Sequence, residues 1–95
     1  MDYSLQDAPK PRREKIDQID RDILDLLNQR AQTAIDVGRV KYEHQADSAV
    51  LKPEREAQVI RRLQELNRYG TFTETGVRAV WAEIISVCRG LEKGL

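Results

Sequence analysis

The sequence predicts an all-α fold of three helices, one of them very long. Apolar side chains recur at helical spacing through three segments. Helix start and stop residues separate the second and third segments, and no alternating apolar run competes as a strand.

The first segment runs from about Pro11 to Tyr42, with apolar side chains at Ile16, Ile19, Ile23, Leu26, Leu27, Ala34, Val37 and Val40 and a single glycine, Gly38. Such a helix would be ~45–50 Å long, against a radius of gyration of ~13 Å for a compact domain near this size. It cannot be covered by its own chain alone. Residues 1–10 lack the period and end near Pro9 and Pro11, which reads as a flexible lead-in to a single domain over 11–95.

From Glu43 to Leu51 the period is lost, predicting a loop. Pro53 then stands where a first helical residue is favoured, opening a second helix to about Leu66 with the stripe Val59, Ile60, Leu63 and Leu66. Asn67 and Gly70 supply a stop. Thr71 with Glu74 three residues on fits a capping box, and the third helix then turns Val77, Val80, Trp81, Ile84, Ile85, Cys88 and Leu91 inward as far as about Leu91.

Composition narrows the function classes. Ninety-five residues form one small domain with a thin core, 40% of them apolar and 34% charged. Sixteen basic and 16 acidic residues cancel and alternate along the chain, so no basic stripe suits nucleic acid. One cysteine, Cys88, and one histidine, His44, form neither a disulfide nor a zinc site. No apolar run is long enough for a signal peptide or a membrane span, and the expectation is a soluble, cytoplasmic protein that binds no membrane.

Some charges fall where packing would prefer carbon. Stepping by threes and fours from Arg13 gives Ile16, Asp20, Ile23, Leu27, Arg30, Ala34, Val37 and Lys41, so three cations lie in phase with the apolar seam. Glu56 is in register with Val59, Ile60 and Leu63, and Glu92 with Trp81, Ile85 and Cys88. Unpaired buried charges are costly. These five residues therefore read either as a ligand site or as a structural ion-pair network. Along a straight helix Arg13 and Arg30 are ~25 Å apart and Arg30 and Lys41 ~16 Å, so one small ligand cannot easily meet all three from one chain. Arg13 fits better in the site of a second subunit, consistent with two-fold homo-oligomers.

The runs Arg13-Glu14-Lys15-Ile16-Asp17-Gln18-Ile19-Asp20, Leu26-Leu27-Asn28-Gln29-Arg30, Val37-Gly38-Arg39-Val40-Lys41, Pro53-Glu54-Arg55-Glu56 and Trp81 through Glu92 together resemble the all-helical (AroQ-type) chorismate mutases. The likeness covers about residues 12–92. The Pro-Glu-Arg-Glu turn and the closing Cys-Arg-Gly-Leu-Glu resemble in particular the N-terminal mutase domains of bifunctional chorismate mutase/prephenate dehydratases, with Leu95 about where a dehydratase would begin.

The resemblance implies an intertwined helical homodimer whose first helices run antiparallel. Each of two sites would take Arg13 from the partner and Arg30 from its own chain, both facing substrate carboxylates. Lys41 would approach the ether oxygen and a carboxylate, and Glu56 the ring hydroxyl. Lys52 would act near that hydroxyl, through its backbone, and Arg55 would support the site. Cys88 and Glu92 fall where many relatives carry serine and glutamine; Cys88 reads as a substrate contact or as a small apolar filler. A carboxylate cannot donate a hydrogen bond, so Glu92 would have to be protonated to serve the ether oxygen.

The implied reaction, chorismate to prephenate in phenylalanine and tyrosine biosynthesis, is an intramolecular pericyclic rearrangement that requires no cofactor, metal or nucleophile. Catalysis would come from holding the substrate and stabilising charge on the ether oxygen. Two alternatives stay open: isochorismate pyruvate lyase, and a non-catalytic helical dimerisation or regulatory domain.

Overall fold

The structure, a computed structural model, describes residues 8–43 and 52–94. Three helices make up these residues: α1 (Lys10–Glu43), α2 (Pro53–Leu66) and α3 (Glu74–Glu92). No strand occurs among the described residues. The fold class and the three helices agree with the sequence reading, with ends shifted by no more than a residue where both ends were specified. The expected lead-in lies outside the described residues up to residue 7, as does the expected loop from residue 44 to 51. Glu43, assigned to that loop from the sequence, is instead the last residue of α1.

The chain divides into two compact units, Met1–Arg30 and Ala31–Leu95. In the first, α1 opens where the Pro9 carbonyl accepts from the backbone N–H groups of Arg12 and Arg13, at 3.0 and 3.1 Å. Pro11 sits in this first turn, where its missing N–H is no loss. Along one face a polar stripe is tied to itself: Gln18 donates to Asp22 at 2.9 Å, Arg21 to Gln18 at 3.0 Å and Gln29 to Asp25 at 3.0 Å. These are the three- and four-residue pairings a helix surface allows. The apolar residues lie elsewhere on the helix, with Ile16 and Leu27 half-buried and Ile19, Ile23 and Leu26 exposed. No residue of α1 is fully buried.

In the second unit α2 and α3 form an antiparallel hairpin. Gln64 on α2 donates to the Glu74 carbonyl at the turn, while Glu56 and Arg89 meet at the far end. Val77, Ile85 and Cys88 are its buried centre, flanked by half-buried Val59, Ile60, Leu63, Trp81, Ile84 and Leu91. Val80, turned inward in the sequence reading, and Leu66, placed there in the apolar stripe of α2, are exposed. Leu66 is the last residue of α2, at the point where the chain turns away, and Val80 is rotated off the line joining Val77, Ile85 and Cys88.

Asn67 organises the connection. Its backbone N–H bonds to the Leu63 carbonyl at 2.9 Å, its carbonyl accepts from Gly70 at 2.7 Å and its amide donates to the Phe72 carbonyl at 2.7 Å. Helix α3 is capped by Thr73, not by the Thr71 that the sequence suggested. The Thr73 hydroxyl accepts from the Gly76 N–H at 2.9 Å. Thr71 and Glu74 have the spacing of a capping box, but Glu74 is the first helical residue, so the box is two residues out of register. Gly94, with φ of 82°, then turns the chain at the end of α3 in the left-handed region that suits glycine.

Thr73→Ala is expected to destabilise the fold by about 1 kcal/mol through the lost cap, and Thr71→Ala by less than about 0.5 kcal/mol. Chemical denaturation midpoints of the two variants check this; the reverse order would restore the Thr71 cap.

Candidate active site

The site is built around the last turn of α3, which α1 approaches closely. A methyl group in place of the Gly38 hydrogen would collide with the carbonyl oxygen of Glu92 and lie 3.1 Å from its Cγ. Only glycine permits this approach. One turn on from Gly38, Lys41 donates from Nζ to Glu92 Oε1 at 2.7 Å, across 51 residues of sequence. The pair is partly covered, with side-chain exposures of 26% for Lys41 and 15% for Glu92.

A second pair joins the same turn of α3 to the first turn of α2. Arg89 donates from Nε to Glu56 Oε2 at 3.1 Å and from Nη2 to Glu56 Oε1 at 2.8 Å. This two-pronged geometry fixes the carboxylate plane as well as its distance. It too is half-covered, at 28% and 23%. Immediately before Arg89 in sequence, Cys88 is a buried free thiol, packed as part of the hairpin core.

Of the residues singled out from the sequence, the structure brings Lys41 and Glu92 together and gives Glu56 a partner on α3. Lys52 is exposed and precedes α2 as its N-cap residue, with its carbonyl accepting from the Glu56 N–H at 3.0 Å. Arg55 is exposed and donates to Gln58 on its own helix at 3.2 Å. Arg13, exposed, and Arg30, half-buried, belong to the first unit.

Arg89 is the residue that sequence reasoning missed. A signal was present: Glu56 shares the register of an apolar stripe and needs a cation, and Arg89 lies four residues after Ile85 and three before Glu92. It stands at the flank of the apolar arc, where a long arginine reads as solvated surface. Only the crossing of α2 and α3 shows where it reaches.

Two half-buried pairs of cation and carboxylate thus gather at one helix end of an all-helical protein. The chain belongs to the chorismate mutase type II family, whose family model matches residues 12–93. It is 39% identical, over its whole length, to the bifunctional chorismate mutase/prephenate dehydratase of Neisseria gonorrhoeae, of which it covers 25%. The protein of the same name in Aquifex aeolicus is 38% identical over 88% of the chain and 24% of its own length. That of Stutzerimonas stutzeri is 40% identical over 97% of the chain and 26% of its own length. The chain thus spans about a quarter of the length of these relatives. The comparison with solved structures found no significant match.

Gly38→Ala sets two effects against each other. Alanine gains about 1 kcal/mol of helix propensity over glycine, but overpacking a tight contact costs about 1–3 kcal/mol. Here the obstacle is backbone, which cannot rotate away, so a net loss of stability is expected in chemical denaturation; a gain would contradict the close approach.

Proposed function

We propose that this chain catalyses the rearrangement of chorismate to prephenate, in a homodimer that places two sites between its subunits. The observation that carries the proposal is the half-covered Lys41–Glu92 pair at 2.7 Å, held by the Gly38 crossing, in a chain of the chorismate mutase type II family.

The chemistry follows from the residue types. Chorismate carries two carboxylates, and arginine forks hold carboxylates in a plane and at a fixed distance. Arg30 from one chain and Arg13 of the partner subunit are assigned to them. As the C–O bond breaks, negative charge gathers on the ether oxygen, and Lys41 is assigned to stabilise it. A single preorganised donor of this kind is worth ~3–4 kcal/mol in the transition state. Glu92 lies beside Lys41 and, when it carries a proton, becomes a second donor to the same oxygen. Glu56 is assigned to the ring hydroxyl. Lys52 reaches the same region through its backbone, and Arg55 supports that end of α2. Cys88 serves as the small apolar wall behind the site, consistent with its burial. No step calls for a cofactor or a metal.

The dimer is supported by the exposed Ile19, Ile23 and Leu26 on α1, an apolar stripe that a second copy would cover. Residues 11–95 are read as one mutase domain. A link to prephenate dehydratase, by fusion or by descent, is supported by the names of the relatives. The setting proposed is the cytoplasm; among the described residues no helix is long and apolar enough to cross a membrane.

The decisive assay is loss of chorismate absorbance, with prephenate identified as product. Arg30→Ala and Lys41→Ala are each expected to lower kcat/KM by at least about 100-fold. No turnover of chorismate, with turnover of isochorismate, would replace the mutase by a pyruvate lyase. Turnover of neither by an intact dimer would leave a binding or regulatory domain.

Two further outcomes test the finer assignments. Glu92→Ala is expected to lower kcat/KM for chorismate by at least about 10-fold; an unchanged value would remove Glu92 from the reaction. Sedimentation should give twice the chain mass. Mixing inactive Arg13→Ala with inactive Arg30→Ala should restore activity, since mixed dimers contain one intact site; an absence of rescue, with subunit exchange demonstrated, would return Arg13 to its own chain.

A further inference from the structure

We propose that Arg89 is a positioning residue for this reaction: it sets the plane and reach of the Glu56 carboxylate that receives the substrate's ring hydroxyl. The inference rests on the mutase reading and deepens it, since that reading uses Glu56 but gives Arg89 no task.

The geometry argues for positioning. Arg89 holds both oxygens of Glu56, Nε on Oε2 at 3.1 Å and Nη2 on Oε1 at 2.8 Å, so rotation about the terminal torsion breaks at least one bond. A lysine at this place would be a point charge and leave that rotation free. The fork uses one acceptor position on each oxygen, and a carboxylate has about four, so Glu56 can accept a hydrogen bond from a hydroxyl without leaving Arg89. The pair joins residues 33 apart, from the last turn of α3 to the first turn of α2, and therefore fixes Glu56 relative to the helix end that also carries Glu92. Both side chains are only about a quarter exposed, at 28% and 23%, so water cannot readily replace either partner.

A positioning role differs from a structural one in what it makes the substrate's hydroxyl worth. The experiment is a double-mutant cycle of Arg89→Gln and Glu56→Gln on the full chain, read as kcat/KM for chorismate and for its analogue lacking the ring hydroxyl, with thermal melts run alongside. Arg89→Gln is expected to lower kcat/KM for chorismate roughly 10–100-fold, the scale of loss that follows a small misplacement. In the Glu56→Gln background the same change should cost less than about twofold. With the hydroxyl-free analogue, wild type and Arg89→Gln should turn over alike. Arg89→Lys should fall between, and it carries the cycle if Arg89→Gln fails to fold.

Losses that multiply in the cycle, or an equal loss on both substrates, would overturn the positioning role while leaving the mutase intact. Failure of the wild-type chain to convert chorismate would instead remove the mutase reading, and the role of Arg89 with it.

Discussion

The polar architecture of the second unit depends on how near α1 comes to the last turn of α3, and Gly38 sets that distance. A glycine inside a helix costs about 1 kcal/mol relative to alanine, so the position needs an offsetting gain. The gain is contact: α1 meets the Glu92 carbonyl without a side chain between them, and Lys41, one turn later, arrives within 2.7 Å of the Glu92 carboxylate. A bulkier residue at 38 would meet the Glu92 carbonyl and push the helices apart at this contact.

Partial cover is what separates these pairs from ordinary surface charge. Lys10–Glu14 and Asp36–Arg39 also approach, but at 3.9 Å and with side chains more than half exposed; pairs of that kind are worth about 0–1 kcal/mol. In the α3 cluster the contacts are shorter and the side chains covered on most sides. Removing one partner there leaves a charge that water cannot fully resolvate, so breaking such a pair costs more than forming it gained. Both charge pairs are internally neutral. In the mutase proposed above, an entering dianion would have to offer the cations better partners than they have, a demand best met by a ligand with carboxylates at matching places.

What the sequence made legible follows from which interactions are local. Helix ends were readable because Pro53, Asn67 and the prolines at 9 and 11 act on their own turns. The stripes of α2 and α3 were readable because a helical period needs no partner to be seen, and Val77, Ile85 and Cys88 lie on the predicted face. The cap was misplaced because Thr71 and Thr73 offer the same hydroxyl, and only the backbone at 73, with φ of −83° and ψ of 157°, holds it against the Gly76 N–H. In the candidate site, Lys41, Glu56 and Glu92 were found as charges in an apolar register. Their pairing was not, since no spacing within one helix encodes that residue 41 meets 92 or that 56 meets 89. Arg89 was lost for the same reason.

The pairing of Lys41 with Glu92 bears on how two groups of opposite formal charge could serve one oxygen. An ammonium has three donors, and Glu92 occupies one of them. Two donors therefore remain for another oxygen while Glu92 holds Nζ in place. In the proposed reaction an ionised Glu92 would anchor the lysine but present the wrong sign to the developing oxyanion. A proton on Glu92 removes that charge and gives the side chain an O–H donor of its own. A glutamine at 92 would have both properties at every pH. In the proposed mutase, a glutamate at 92 would contribute a donor only in its protonated form, whereas the oxygen that accepts from Lys41 is present with either group.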